Sequence, residues 1–113
     1  PMWLRAADIL RIPNTAKEAA GAIESSPSKL IEYMASGRPI IASDIPGITD
    51  VTDDTMGYLV EPDSAEAIAN AVHESMSNPE ETEARVLRAR DASKNLSWEA
   101  RAKSILAFIQ RLP

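Results

Sequence analysis

A helix with both ends written into the sequence, followed within four residues by a run of β-branched side chains, limits this chain more than any other feature. Ser26 is placed to cap the helix, Pro27 fills the first helical position, Gly37 falls just past the end, and Pro39 forbids continuation. That predicts a helix over 27–36. Ile40-Ile41-Ala42-Ser43 then reads as a strand, as do Ile9-Leu10-Arg11-Ile12 before the helix and Gly57-Tyr58-Leu59-Val60 further on. Between the last two, Asp44-Ile45-Pro46-Gly47 with Ile48 and Val51 predicts a turn and a short helix over 46–51, and Asp53-Asp54 a further turn. Strand, helix, strand, helix, strand is the rhythm of a parallel sheet. Right-handed crossovers running in one direction put both intervening helices on one face, leaving the other to the chain's first helix and to whatever follows Val60. The expected fold class is α/β, a three-stranded parallel sheet in sequential order flanked by helices, half of a Rossmann-like domain with its ligand site beyond the carboxyl ends of the strands.

After Val60 the pattern is helical throughout. Asp63 or Ser64 can cap a helix whose apolar residues Ala65, Ile68, Val72 and Met76 follow one face. Asn78-Pro79-Glu80-Glu81 has the form of a capping box for a helix reaching about Ala92, with modest apolar content in Val86, Leu87 and Ala89, and this is expected to be the least buried helix. Ser97 caps a last helix in which Trp98, Ala102, Ile105 and Ile109 form a stripe, widened by Leu106, Phe108 and Leu112, that needs a partner. Residues 14–25, Ala-rich and without periodicity, read as a mobile loop or a weak helix.

Composition closes off several classes of function. A length of 113 residues is one small domain, 1–113 without a second core. Twelve Lys and Arg against 17 Asp and Glu give a net charge of −5, so nucleic acid is not an expected partner. With no Cys and one His, disulfide frameworks, the usual zinc sites and thiol nucleophiles are excluded. No apolar run approaches the roughly 18 residues of a membrane span, and the start lacks the form of a signal peptide, so the chain is expected to be cytoplasmic. It begins with Pro1, inside an apparent helix, and is therefore expected to be a partial domain of something longer.

The loops at the ligand end are 13–28, 43–48 and 61–64. At the start of helix 27–36, free backbone N–H groups and the helix dipole favour an anion, phosphate above all. Pro27 lacks a donor, so the useful amides are those near Ser28 and Lys29; an ordinarily capped helix is the plainer reading of the same residues. Glu24 and Glu32, with seven residues between them, offer carboxylates of the kind that accept ribose hydroxyls, whereas a Glu32–Lys29 pair on a solvated face is the alternative. Arg5, Arg11, Lys17, Arg38 and His73 read as surface groups, and Trp3, Trp98 and Phe108 as packing anchors.

The run from Ser26-Pro27-Ser28-Lys29-Leu30-Ile31-Glu32-Tyr33-Met34-Ala35-Ser36-Gly37 through Arg38-Pro39-Ile40-Ile41-Ala42-Ser43-Asp44-Ile45-Pro46-Gly47 resembles the donor-binding segment of the retaining, family-four type glycosyltransferases with the GT-B fold. Ala6-Ala7-Asp8-Ile9-Leu10, Gly57-Tyr58-Leu59-Val60-Glu61-Pro62 and Leu96-Ser97-Trp98-Glu99 extend the resemblance over nearly the whole chain. It implies the distal half of a carboxyl-terminal, nucleotide-sugar-binding domain. The parent enzyme would transfer a sugar from a nucleotide diphosphate sugar to an acceptor, with retention. Donor binding would fall on Glu24, Ser26, Ser28, Lys29, Leu30 and Glu32, with Glu24 near the sugar hydroxyls and Glu32 on the ribose. The family's phosphate-binding glycines are replaced here by Ser25, Ser26 and Pro27. The basic pair that stabilises the leaving diphosphate has no match in the chain, so no catalytic residue, metal or cofactor is assigned to it and it is expected to be inactive alone. The implied partners are the nucleotide sugar and an amino-terminal domain of the same polypeptide, itself at most peripheral at a membrane. The edge of strand 9–12 would be open to self-association. A noncatalytic nucleotide-binding or interaction domain of the same architecture is the alternative, and a sugar epimerase fits the motifs less well.

Overall fold

The computed structural model describes residues 2–17 and 27–113. In chain order these form helix α1 (Met2–Ala6), strand β1 (Leu10–Ile12), helix α2 (Pro27–Ser36), strand β2 (Ile40–Ser43), helix α3 (Pro46–Thr49), strand β3 (Tyr58–Val60), helices α4 (Ala65–Ser77) and α5 (Pro79–Ser93), a 3₁₀ turn (Lys94–Leu96) and helix α6 (Trp98–Gln110). The three strands are parallel in the order β1-β2-β3. Leu10 pairs with Ile40 and Ile12 with Ala42, and on the other side Ile41 pairs with Tyr58 and Ser43 with Val60. Strands β1 and β3 begin one residue later than the sequence suggests, and α3 ends two residues sooner. Its start is fixed by Pro46 at the first helical position, with extended Ile45 before it.

Register divides the core. Ile12, Ile40 and Ala42 face α2 and α3, where Leu30, Met34, Ile45 and Ile48 complete one apolar cluster; Ile41 and Tyr58 face α4 and meet Ala71. All four residues of β2 are buried, as a central strand covered on both faces requires. Gly37 ends α2 in a left-handed conformation, φ +76°. Ser64 and Ser97 cap α4 and α6, their hydroxyls accepting the N–H groups of Ala67 and Ala100 at 3.1 Å.

Several expectations about packing are overturned. The helix expected to be least buried, α5, lies against α2, with Ala89 at 1% exposure inside the α2–α3 cluster and Thr82 and Ser93 also buried. Small side chains let the two helix backbones approach, and small side chains carry little weight in a hydrophobicity pattern. It follows that α1 and α5 both join the α2 side of the sheet, leaving α4 to cover the opposite face. On α4 the buried positions are Ala71 and Ser75, while Met76 is 73% exposed, because the side chains against Ile41 and Tyr58 must be small. No capping box forms at Asn78, whose side-chain amide donates backwards to the Glu74 carbonyl at 3.4 Å.

Trp3, Trp98 and Phe108, expected to anchor packing, are 81%, 83% and 65% exposed, and α6 has no buried residue. Ile105, Leu106, Ile109 and Leu112 of its apolar stripe are all at least half exposed.

The turn ahead of β3 is held by α5. Arg85 donates to the carbonyls of Asp54 and Gly57, the latter at 2.8 Å, and its guanidinium lies 4.4 Å from the centre of the Tyr58 ring. Arg88 donates to the Thr55 carbonyl at 2.8 Å. The Tyr58 and Thr82 hydroxyls lie 2.6 Å apart, and Thr82 donates to the Ser75 carbonyl at 2.8 Å, so polar groups at the α4–α5 elbow are paired. Among the described residues no buried side-chain N or O lacks a partner.

Candidate functional site

Parallel strands with crossover helices send all three strand ends to one edge, where residues 13–17, 43–46 and 61–64 emerge. The same geometry turns the start of α2 toward that edge. Pro27 opens the helix, so the first free amides are those of Ser28 and Lys29, and both residues are exposed. Glu24 and Ser26 lie outside the described residues, as does most of the stretch 14–25 expected to be a loop or weak helix.

Leu30 has no exposed surface and its side chain belongs to the core with Met34. Any contact with a ligand from this position is limited to its main chain. Glu32 is exposed on the opposite side of α2, about 200° around the helix from both core residues. Neither Glu32 nor Lys29 has a hydrogen-bond or ion-pair partner among the described residues, so the alternative Lys29–Glu32 pair is not formed.

The Glu32 side of α2 forms one wall of an open groove of about 420 Å3, which also carries Ser28, Ile31, Trp98 and Arg101. Trp98 and Arg101 come from the first turn of α6, more than 60 positions away in the chain. Sequence reasoning missed Arg101. Its only signal was the i, i+3 spacing from Trp98, which puts both on one side of the helix. The groove therefore combines a carboxylate, a guanidinium and an aromatic face over an apolar floor.

At the strand ends, Asp44 N–H donates to the Val60 carbonyl at 2.8 Å, joining the exits of β2 and β3. Ser43 is buried there, its hydroxyl 3.5 Å from the Ile12 carbonyl. Asp63 accepts the Ala16 N–H at 3.1 Å. The hydroxyl of Thr15, the Ala16 amide and the nearby Lys17 charge hold the Asp63 carboxyl below its ordinary pKa. His73 lies far from this edge, exposed on α4 beside Ser77, and Arg5, Arg11 and Lys17 are solvent-facing; Arg38, half-buried, donates to the Arg5 carbonyl. No helix among the described residues is long and apolar enough to cross a membrane.

A family model for glycosyl transferases group 1 matches residues 1–78. Among curated proteins, a phosphatidyl-myo-inositol mannosyltransferase of Mycobacterium leprae is 30% identical over 104 residues, which is 91% of this chain and 26% of that protein. Among solved structures, sucrose-phosphate synthase from Thermosynechococcus elongatus superposes with a TM-score of 0.71 at 28% identity, over 96% of this chain and 26% of that one. Anabaena HepE, solved in complex with UDP, gives a TM-score of 0.82 at 20% identity, over 99% of this chain and 30% of its own. The chain thus spans about a quarter of the length of the curated relatives it matches.

Proposed function

Because this chain belongs to the glycosyl transferases group 1 family, we propose that it supplies part of the donor site of an enzyme that transfers a sugar from a nucleotide diphosphate sugar to an acceptor, with retention at the anomeric carbon. In this reading residues 1–113 are part of one nucleotide-sugar-binding domain, and an amino-terminal domain of the same polypeptide brings the acceptor. The observation that carries it is Glu32: a carboxylate with no partner among the described residues, on an exposed side of the helix whose amides open the ligand edge. A carboxylate left unpaired in a groove is an acceptor for two vicinal hydroxyls, and a ribose presents such a pair.

Roles follow from the chemistry of each group. The Ser28 and Lys29 amides and the helix dipole favour a phosphate; the Lys29 ammonium adds charge of the right sign, and the main chain at Leu30 continues the turn. Glu24 and Ser26 are assigned to the same site by family resemblance, Glu24 toward the donor sugar. This chain contributes binding and orientation, and the charge that stabilises the departing diphosphate comes from elsewhere in the whole protein. The complex of HepE with UDP supports the reading by showing the same fold holding a nucleoside diphosphate.

Glu32→Gln in the whole protein tests it. A hydrogen bond to a charged group contributes about 1.5–3 kcal/mol. Calorimetric titration with nucleoside diphosphates is therefore expected to show a loss of roughly one to two orders of magnitude in affinity. Unchanged affinity would remove Glu32 from the site.

A further inference from the structure

β1 and β3 are the outer strands of the sheet, separated across β2 by about 10 Å. The loops that leave them, 13–17 and 61–64, flank the end of β2 where Ser43 and Asp44 sit, and one side chain joins the two. Asp63 has φ 61°, the one left-handed residue other than glycine among those described. From that backbone its Oδ2 accepts the Ala16 N–H at 3.1 Å. The Thr15 oxygen accepts the Lys17 N–H at 3.1 Å. The β1 loop is thereby tied through the Ala16 amide to a carboxylate on the β3 loop, and Thr15 and Lys17 are held to each other beside that tie. Aspartate is among the few non-glycine residues that adopt this conformation readily, its short side chain bonding to nearby backbone.

We propose that Asp63 is a positioning residue for nucleotide-sugar binding, a carboxylate clasp that fixes the spacing of the two loops walling the carboxyl end of the sheet. The proposal rests on the donor-site reading above. Asp63 is not assigned to the donor itself: its Oδ2 is engaged by Ala16, and its charge has the sign of the diphosphate. What it supplies is order in advance of binding. Without the clasp the nucleotide must order the β1 loop as it binds, and affinity falls while the chemistry of the bound donor is unaltered.

Two substitutions separate the carboxylate from the backbone it sits on. Asp63→Gly accepts φ 61° without strain and removes the clasp, while Asp63→Asn tolerates the same backbone and keeps an acceptor oxygen for Ala16. With the whole protein, titrated with UDP and with GDP, D63G is expected to bind about 2- to 12-fold more weakly, the range for one ordered side chain. D63N is expected to restore most of that affinity, with kcat unchanged in both and the effect confined to the donor KM. Wild-type affinity in D63G overturns the clasp and leaves the donor site standing. A loss in D63G that D63N does not rescue, matched by a drop in melting temperature in both, marks a merely structural residue and also overturns it. If the wild-type protein binds neither nucleotide, the donor-site reading fails and the clasp fails with it.

Discussion

At Gly37 the backbone is left-handed, and nothing lies within 4 Å of the place where a Cβ would stand. The cost of a side chain there is conformational only, so Gly37→Ala is expected to lower stability by about 1–2 kcal/mol. Urea unfolding should show this as a lower midpoint at unchanged slope. Gly57 is restricted by space instead: a Cβ would stand 3.2 Å from the Ile40 carbonyl oxygen, against the central strand. Asp53 offers a residue-scale prediction in pH. Hydrogen bonds from the Thr55 hydroxyl and then the Thr55 amide hold its carboxyl below the ordinary value of 3.8. A folded pKa lower than the unfolded one means that its contribution is complete above 3.8 and is lost as the pH falls through the lowered value. Asp53→Asn is therefore expected to flatten the stability curve of the chain below pH 4, read from urea midpoints across that range.

Among the elements, α2 and β2 were legible because Pro27, Gly37 and Pro39 mark boundaries that tertiary packing has no cause to move. The standing of α5 was not. Its contact with α2 is made by Ala89, with Ala92 packed against the same cluster, and a helix that packs through small side chains looks polar in sequence. Ala89→Leu is the corresponding prediction: overpacking that seam is expected to cost about 1–3 kcal/mol, whereas Leu87→Ala, on the exposed side of the same helix, is expected to stay within about 0.5 kcal/mol. Thermal unfolding of the two variants distinguishes a core helix from a covering one. The place of Glu32 on α2 was legible from the helix motif, but its neighbours in the groove were not, since Trp98 and Arg101 come from a helix that no local pattern ties to α2. The apolar stripe on α6 was legible, and so was its need for a partner; the assignment of Trp98 and Phe108 to the packing of this chain failed because periodicity says which side is apolar and not what covers it.

The molecule as a whole measures 53 × 33 × 24 Å with a radius of gyration of 15.3 Å, against about 13 Å for a compact domain of this length. The excess fits α6, a helix of about 20 Å with no buried residue. Ending the chain after Ser97 is expected to leave the urea midpoint of the remaining core nearly unchanged. A large loss would show that α6 carries stability its exposure conceals. The seam between α5 and the turn before β3 behaves differently. Arg85 and Arg88 reach main-chain carbonyls of Asp54, Thr55 and Gly57, and a carbonyl is a dipole that neither titrates nor gathers counterions. The ion pairs of Arg85 and Arg88 with Glu81 weaken in brine and in acid, whereas these bonds lose little to either. An acid-rich chain has thus placed one of its main tertiary latches outside the reach of ionic strength, and β3 should remain docked under conditions that strip the surface of its charge pairs.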